Sequence, residues 1–518
     1  MRLFHTIAGL RCELDRLRQA GQSMGLVPTM GALHAGHGSL IARAVAETDA
    51  VVVSIFVNPL QFEPGADLDR YPRALEADCQ VCETAGVAIV FAPAVAELYG
   101  TATSNSTDLP AQTQVLPPES MLQTLCAPRR PGHFAGVATV VAKLLNIVRP
   151  EIAYFGEKDA QQLAIIRRLV ADLQLPVTIR GCPTVREASG LALSSRNQYL
   201  GESEKAQATA ISRGLQAAKE AFFAGDRASR ALLERVEIEL AKEPTLQVEY
   251  AELVHPKTLQ PLTEIDADGG LLAIAAHLGK TRLLDNAFLR QRQPIIAIDG
   301  PAGAGKSTVT RQLASQLGLL YLDTGAMYRA IAWLVMEAGV DLADAAAIAE
   351  LVTQARLELL PAEAPEKPVR VRVNDREVTQ AIRTPEVTAN VSKVAAQASV
   401  RTELVRRQQE FGDRGGIVAE GRDVGTTVFP QAELKIFLTA SPAERARRRQ
   451  QDLLAQGLES VDLAKLEQDI RERDERDSRR KVSPLRQAAD AIVVQTDGMT
   501  INAVIAHLTA LYRERLRV

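Results

Sequence analysis

The 518-residue sequence lacks the features of a membrane, secreted or nucleic-acid-binding protein. Its longest apolar runs, such as AVVVSIFV at residues 50–57, fall well short of the roughly 18 residues that a membrane helix needs. The opening stretch, MRLFHTIAGLRCELDRL, predicts an amphipathic helix and not a signal peptide, because it carries acids and no sustained apolar segment. The formal net charge is only −3. We therefore expect neither nucleic acid nor a membrane as partner.

Cysteine is also scarce, with five residues scattered over the first part of the chain. An odd number without regular spacing does not form the disulfide framework of a secreted protein, so a reducing, cytoplasmic location is predicted. Cys79 and Cys82 form a C-x-x-C pair inside a helical pattern. Without a second pair, packing of that helix is favoured over a redox or zinc role.

The length exceeds that of one ordinary hydrophobic core and predicts several domains. Strand-length apolar runs alternate with amphipathic stretches in both halves, which is typical of α/β folds with parallel sheets. The main boundary is expected near Arg292, without a flexible spacer. Residues 101–120 are expected to form a surface loop, and residues 369–379 a hairpin that turns at Asn374 and Asp375.

A phosphate-binding loop opens the second half. Residues 300–307, GPAGAGKS, follow a strand pattern and precede a helix pattern, which is the context that this motif requires. Lys306 would bridge the β- and γ-phosphates of ATP, and the Ser307 hydroxyl would ligate Mg²⁺. The predicted ATP-binding residues are Gly300, Gly303, Ala304, Gly305, Lys306, Ser307 and Thr308.

Arginines and acids recur after this loop, as in YLDTGAMYRA, EGRDVGTTVFP and RERDERDSRRK. Taken singly, the last stretch is as well explained by a solvated, ion-paired helix face. Taken together, the motifs resemble the cytidylate kinase family from about residue 294 onward. The resemblance implies a P-loop nucleoside-monophosphate kinase that phosphorylates CMP or dCMP with ATP and Mg²⁺, with Arg480 stabilising the transferring phosphoryl group. The CMP-binding residues that it implies are Thr324, Arg329, Ser392, Arg401, Arg422, Asp423, Arg473 and Asp477.

In the first half, His34 and His37 form an H-x-G-H pattern between a strand pattern and a helix pattern. Histidines at a helix N-terminus make a polyphosphate site, and their imidazoles can donate hydrogen bonds to charge that develops during attack at the α-phosphorus. Two surface histidines on a loop would show the same letters. No third ligand candidate is near, so a metal site is not predicted.

Polar clusters follow other strand-like runs of this half, where a doubly wound sheet binds its ligands. A capped turn or a surface salt bridge would explain any one of them equally well. The clusters are Asn58 with Gln61; Gly156, Lys158, Asp159 and Gln162; and Ser194, Ser195 and Arg196.

Together these motifs resemble the pantoate–β-alanine ligase family over about residues 1–285. The resemblance implies a Rossmann-like nucleotidyl-transferase domain (residues 1–184), a small α+β subdomain (185–291) and, beyond them, the kinase domain (292–518). It implies that His34, His37, Lys158 and Arg196 act on ATP, and that Gln61 and Gln162 hold pantoate, with Gln61 shared by β-alanine. It also implies a homodimer formed through this half. The implied ATP-binding residues are Met30, Gly31, Ala32, Leu33, His34, Ala35, Gly36, His37, Gly156, Glu157, Lys158, Asp159, Val185, Leu193, Ser194, Ser195 and Arg196.

The sequence departs from the ligase pattern at Ala35, Gly38 and Leu193, and in the length of the 101–120 loop and the stretch after it. These departures bear on ATP affinity and on subunit contacts more than on chemistry. Two alternatives stay open: one half could be a degenerate nucleotide sensor that regulates the other, or the first half could transfer a nucleotidyl group to a phosphate ester.

Overall fold

The structure, a computed structural model, describes residues 1–62, 68, 71–100, 113–360, 367–413, 415–455, 462–478 and 485–516. Contacts between Cα atoms divide the chain into two compact units, Met1–Gln291 and Arg292–Val518. In these described ranges, no helix has both the length and the apolar character needed to cross a membrane.

The first unit begins with a six-stranded parallel sheet in the order β1-β4-β3-β2-β5-β6. Its strands are β1 (Arg2–Phe4), β2 (Met24–Thr29), β3 (Ala50–Ile55), β4 (Ile89–Phe91), β5 (Ile152–Gly156) and β6 (Thr178–Cys182). The helices between them are α1 (Ile7–Gln19), α2 (Ala35–Glu47), α3 (Leu75–Thr84), α4 (Val95–Tyr99), α5 (His133–Val148) and α6 (Ala160–Asp172). Strands such as β3 read as continuous apolar runs because helices cover both faces of the sheet. The strand order reverses beside β2, and such a reversal opens a crevice at the carboxyl ends of the strands.

The prediction for the N-terminus needs correction. The amphipathic helix begins only at Ile7, because residues Arg2–Phe4 pair with β4 as an edge strand. The C-x-x-C pair lies within α3, where Cys82 is fully buried and burial raises the pKa of its thiol to about 12. A thiol that stays protonated at neutral pH fits the helix-packing interpretation.

The first unit ends in two helices and an antiparallel sheet in the order β7-β8-β9. These elements are α7 (Glu202–Ala224), α8 (Ser229–Leu240), β7 (Leu246–Val254), β8 (Gly270–Leu278) and β9 (Thr281–Leu289). Apolar side chains of the helices, such as Leu215 and Leu232, pack on those of the sheet, such as Ile274, and form a core of their own.

The second unit is built on a five-stranded parallel sheet in the order β11-β15-β10-β16-β17. Its strands are β10 (Gln293–Asp299), β11 (Leu320–Asp323), β15 (Gly415–Gly421), β16 (Leu434–Thr439) and β17 (Ile492–Gln495), and a separate small sheet holds β12 (Leu357–Leu360), β13 (Arg370–Val373) and β14 (Arg376–Glu377). The helices are α9 (Lys306–Leu317), α10 (Thr324–Glu337), α11 (Ala345–Gln354), α12 (Pro385–Ala395), α13 (Ala398–Gly412), α14 (Pro442–Ala455), α15 (Leu463–Ser478) and α16 (Ile501–Leu516). The α/β class predicted from the alternating pattern is confirmed in both units.

The hairpin predicted at residues 369–379 is also confirmed. Strands β13 and β14 pair antiparallel, and the turn between them has left-handed φ angles of 47° at Asn374 and 66° at Asp375. Asn and Asp tolerate this conformation better than other non-glycine residues do, which is why the Asn-Asp pair marked the turn. Of the loop expected at residues 101–120, residues 101–112 lie outside the described part of the chain.

Candidate active sites

The H-x-G-H pattern forms the first turn of α2. His34 is the N-cap residue, and its Nδ1 atom accepts the N–H of Gly36 at 3.1 Å. The Nδ1 atom of His37 accepts the N–H of His34 at 3.3 Å, and the centroids of the two rings lie 4.2 Å apart. A Cβ atom at Gly36 would lie 2.8 Å from the His34 ring, so only glycine allows this ring to close over the helix start. Both imidazoles are thereby fixed at the positive end of a helix dipole.

The protonation state of the pair follows from these contacts. Burial, together with the neighbouring His34 and Lys158, lowers the pKa of His37 to about 4. Burial and Lys158 also lower the pKa of His34. Both rings are therefore neutral at pH 7. Because each Nδ1 atom accepts a backbone hydrogen bond, each proton sits on Nε2, so each neutral ring keeps one N–H donor.

Residues 185–196 lie against this turn. The Leu193 Cβ atom is 4.0 Å from the position of a Cβ atom on Gly36, and the Leu193 N–H donates to the Val185 carbonyl at 2.9 Å. The Ser194 hydroxyl accepts the N–H of Arg196 at 3.3 Å and so caps the short helix Ser195–Tyr199. The structure thus brings the Val185–Arg196 segment to the histidine pair.

Lys158 and Asp159 follow directly after β5 in a short helical turn. The charges of both act on His37, which indicates that they lie close to the histidine pair. The Asn286 side chain on β9 donates to the carbonyls of Glu157 at 2.9 Å and Lys158 at 2.8 Å. The small antiparallel sheet thereby fixes the position of the Lys158 backbone.

The two glutamines predicted to hold pantoate occupy different contacts. The Gln61 amide donates to the Met30 sulfur at 3.0 Å and accepts from the Asn58 amide at 3.1 Å, beside the turn that leads to His34. Gln162 lines a cleft together with Lys158, Asp159, Arg130 and His133. The His133 ring connects the two, because its Nδ1 atom lies 2.8 Å from the Gln61 carbonyl oxygen.

In the second unit, the predicted phosphate loop joins β10 to α9. Gly303 and Gly305 adopt left-handed φ angles of 79° and 84°, and a Cβ atom on Gly300 would lie 2.0 Å from the Leu438 carbonyl oxygen. Only glycine fits at Gly300, which explains that position of the motif. The Lys306 ammonium donates to the carbonyls of Gly300 at 2.7 Å and of Pro301 at 2.8 Å.

Acidic and basic neighbours shift the pKa of Lys306 in opposite directions. Burial lowers the pKa of Lys306 to about 8, Glu420 and Asp299 act against this shift, and Arg422 and Arg473 add to it. These four residues come from β10, β15 with its following turn, and α15. Arg422 and Arg473, which the sequence assigned to CMP, thus lie within electrostatic reach of the phosphate loop.

Next to the loop, Glu420 at the end of β15 is buried, and burial raises the pKa of its carboxyl. Its Oε1 atom accepts from the Tyr321 hydroxyl at 2.7 Å, the Ser307 hydroxyl lies beside the same carboxylate, and its buried Oε2 atom has no hydrogen-bond partner among the described residues. A hydroxyl and a carboxylate side by side are the oxygen donors that Mg²⁺ prefers.

Several residues predicted for CMP are held by contacts within the second unit. The Arg401 guanidinium pairs with Asp423 and lies 5.5 Å from the centroid of the Tyr328 ring. The Thr324 hydroxyl donates to the Glu420 carbonyl at 2.7 Å. Arg329 pairs with Asp323 at 3.1 Å, and Ser392 lies on α12, which packs against α10. The side chain of Asp477 and all of Arg480 lie outside the described residues.

Comparison with known proteins gives a consistent result for both units. A model of the pantoate–β-alanine ligase family matches residues 2–288, and a model of the cytidylate kinase family matches residues 296–514. Proteins from Trichormus variabilis and Synechocystis sp., each named bifunctional pantoate ligase/cytidylate kinase, are 58% identical over 100% and 99% of this chain and 99% of their own. The crystal structure of pantothenate synthetase from Thermus thermophilus matches with a TM-score of 0.52 and 43% identity, over 56% of this chain and 100% of that one.

The chain belongs to the bifunctional pantoate ligase/cytidylate kinase family. Its ligase match falls within the unit Met1–Gln291 and its kinase match within the unit Arg292–Val518. Each of the two ATP-handling motifs of this bifunctional family therefore lies in a unit with its own sheet and its own cores.

Sequence reasoning missed several residues that the structure brings to the two sites of this family member. Asp78 accepts two backbone hydrogen bonds from the turn before His34. Tyr71, whose pKa burial raises, is hydrogen-bonded to the Ser195 hydroxyl and lies near Arg196. Asn286 and Glu420 complete this group. Only Glu420 carried a signal, because it ends a predicted strand directly before the Gly-Arg-Asp turn.

Proposed function

We propose that the chain catalyses two ATP-dependent reactions, one in each unit. The first condenses pantoate with β-alanine to pantothenate, with release of AMP and pyrophosphate. The second transfers the γ-phosphoryl group of ATP to CMP or dCMP. The observation that carries this proposal is the pair of complete phosphate-handling turns in separate units, with His34 and His37 at the start of α2 and Lys306 at the start of α9.

In the first reaction, a carboxylate oxygen of pantoate attacks the α-phosphorus of ATP, the bond to the β-phosphate oxygen breaks, and pantoyl adenylate and pyrophosphate form. The amine of β-alanine then attacks the acyl carbon and AMP leaves. The Nε2–H groups of His34 and His37 donate hydrogen bonds to the charge that develops on the leaving phosphates. Lys158 and Arg196 supply the positive charge that holds the triphosphate, and Gln61 and Gln162 hold pantoate.

We assign His37 the role of a hydrogen-bond donor to the leaving phosphates. In the ATP-free protein, a group whose pKa is lowered to about 4 carries no second proton at neutral pH. The other residues proposed to bind ATP lie in three segments of the chain. They are Met30, Gly31, Ala32, Leu33, Ala35, Gly36, Gly156, Glu157, Asp159, Val185, Leu193, Ser194 and Ser195.

In the second reaction, the backbone N–H groups of Gly300 and of Gly303 to Thr308 cradle the phosphates, and Lys306 exchanges its loop carbonyls for β- and γ-phosphate oxygens. Arg329 meets the phosphate of CMP, and Ser392, Arg422 and Asp423 orient its cytosine and sugar. Asp423 is paired with Arg401. Arg401, Thr324, Arg473 and Asp477 complete the proposed CMP site, and Arg480 stabilises the transferring group.

Ser307 and Glu420 fit a magnesium ion bound together with ATP, since the hydroxyl and the carboxylate lie side by side and one buried carboxylate oxygen is left over. When bound, Mg²⁺ supplies charge neutralisation between the β- and γ-phosphates.

Three further expectations accompany this proposal. We infer a ligase made of domains 1–184 and 185–291, followed by a kinase domain 292–518. The ligase resemblance also implies a homodimer through the first unit, which sizing of the protein in solution tests. We also expect a reducing, cytoplasmic location, as the few, irregularly spaced cysteines of the sequence predict.

The test uses His37→Ala and Lys306→Ala in separate full-length proteins. His37→Ala should abolish AMP release that depends on pantoate and β-alanine and leave CMP phosphorylation intact, and Lys306→Ala should do the reverse. His5→Ala, at an exposed histidine of the first unit, is the matched control. Loss of both activities from either change would contradict two independent sites. A wild-type protein that releases no AMP would contradict the ligase assignment.

A further inference from the structure

The turn that precedes His34 is held by a carboxylate from a distant part of the chain. Asp78 on α3 is only 3% exposed. Its Oδ2 atom accepts the N–H of Ala32 at 2.9 Å, and its Oδ1 atom accepts the N–H of Leu33 at 2.8 Å. Both oxygens of a buried carboxylate are therefore used on two consecutive backbone donors. Such charge-assisted hydrogen bonds are stronger than those between neutral groups.

The turn needs this support because of its backbone conformation. Gly31 and Ala32 have left-handed φ angles of 84° and 51°. Alanine is disfavoured there, since its Cβ atom approaches the following carbonyl oxygen. Successive N–H groups in such a turn converge into a concave array that suits an anion, and Asp78 is that anion. The fit is close, because a Cβ atom on Gly31 would lie 2.9 Å from the Asp78 Oδ2 atom and 3.1 Å from Ile55.

The same stretch of backbone fixes both imidazoles. Leu33, held by Asp78, directly precedes His34, whose own N–H is the donor to the His37 Nδ1 atom. The direction of both Nε2–H groups therefore depends on where the backbone of residues 32–34 lies. Because both oxygens of Asp78 face that backbone, the carboxylate acts on the reaction only through the turn.

We propose that Asp78 is a positioning residue for the adenylation step: its carboxylate holds the left-handed turn at Ala32 and Leu33 so that His34 and His37 meet the phosphates of ATP. This inference rests on the ligase function proposed for the first unit. It assigns to Asp78 no part in the second step, in which β-alanine displaces AMP, because the pyrophosphate has then already left.

The test measures the two half-reactions separately in full-length Asp78→Asn. The asparagine side chain keeps one oxygen that can accept a hydrogen bond from Ala32 or Leu33, but its NH₂ group faces the other backbone N–H and cannot accept from it. Pantoate-dependent exchange of labelled pyrophosphate into ATP should fall about ten- to hundredfold, the effect of losing one charge-assisted hydrogen bond. AMP release from supplied pantoyl adenylate on addition of β-alanine should stay within about twofold of wild type. Glu83→Gln, at an exposed carboxylate of the same helix, should change neither rate.

Phosphorylation of CMP by the same polypeptide serves as an internal control for concentration and for the second unit. Unchanged pyrophosphate exchange in Asp78→Asn overturns the proposal. The proposal is also overturned if Asp78→Asn and the smaller Asp78→Ser both lose the two half-reactions equally. Asp78 would then support the fold of the first unit and not the adenylation step. A wild-type protein without pantoate-dependent exchange would instead refute the ligase function itself.

Discussion

His37 should stay neutral down to far lower pH than an ordinary histidine. A free histidine titrates near 6.5, whereas burial lowers the pKa of His37 in the folded protein to about 4. Since the unfolded chain takes up the proton first, the stability that neutral His37 contributes is complete above pH 6.5 and is lost as the pH falls toward 4. The full difference corresponds to about 3 kcal/mol, of which about 2 kcal/mol is lost by about pH 5.

Two measurements check this prediction. Nitrogen-15 NMR of the imidazoles should show a midpoint for His37 near pH 4, with the proton on Nε2 at neutral pH because Nδ1 accepts the His34 N–H. Between about pH 7.5 and about pH 5, the free energy of unfolding should fall by about 2 kcal/mol more in wild type than in His37→Gln. His133, whose pKa burial also lowers to about 4, is present in both proteins and cancels. A midpoint near that of a free histidine, a proton on Nδ1, or equal slopes in the two proteins would refute the reasoning.

Three substitutions test other parts of the two sites. Gly136→Ala places a Cβ atom 2.3 Å from the Leu60 carbonyl oxygen, next to Gln61. This substitution should raise the KM for pantoate and destabilise the first unit by about 1–3 kcal/mol. An unchanged KM would contradict the role of Gln61. Gly38→Ala meets nothing within 4 Å and lies in α2, so denaturant unfolding should show about 0.5–1 kcal/mol of added stability with both activities kept. Asp299→Asn weakens the two hydrogen bonds that hold the turn after Asp423. The KM for CMP should rise about tenfold while ligase activity is retained. A change in the KM for ATP alone would contradict this prediction.

The parts of the fold and sites that the sequence predicted are those specified by neighbouring residues. The phosphate loop is one continuous stretch whose glycines are each required by local geometry, as Gly300 against the Leu438 carbonyl illustrates. The strand runs are continuous and apolar because parallel strands are buried on both faces. The Asn374–Asp375 turn likewise depends on only two adjacent φ angles.

The residues that the sequence did not reveal act across the fold. Asp78 reaches Ala32 over a separation of 46 residues, and Asn286 reaches Lys158 over 128. In the sequence, Asp78 stands in the polar stretch LEADCQ, where a carboxylate is typical of a solvated helix face. Only the packing of α3 beside the end of β2 turns that carboxylate into a buried acceptor.

Each unit places a buried, titratable side chain at its proposed phosphate site, but the two side chains differ in charge at neutral pH. Burial, together with His34 and Lys158, outweighs the opposing charge of Asp159, so His37 is neutral and its N–H contributes a dipole. Lys306 is desolvated as well, and burial lowers its pKa to about 8; because Glu420 and Asp299 oppose that shift, the pKa remains above neutral pH. A fixed cation suits the kinase, where charge must be held on the β- and γ-phosphates throughout transfer. A neutral donor suits the ligase, because its hydrogen bonds gain most when charge develops on the departing pyrophosphate, while the proposed role of Lys158 is to supply the binding charge.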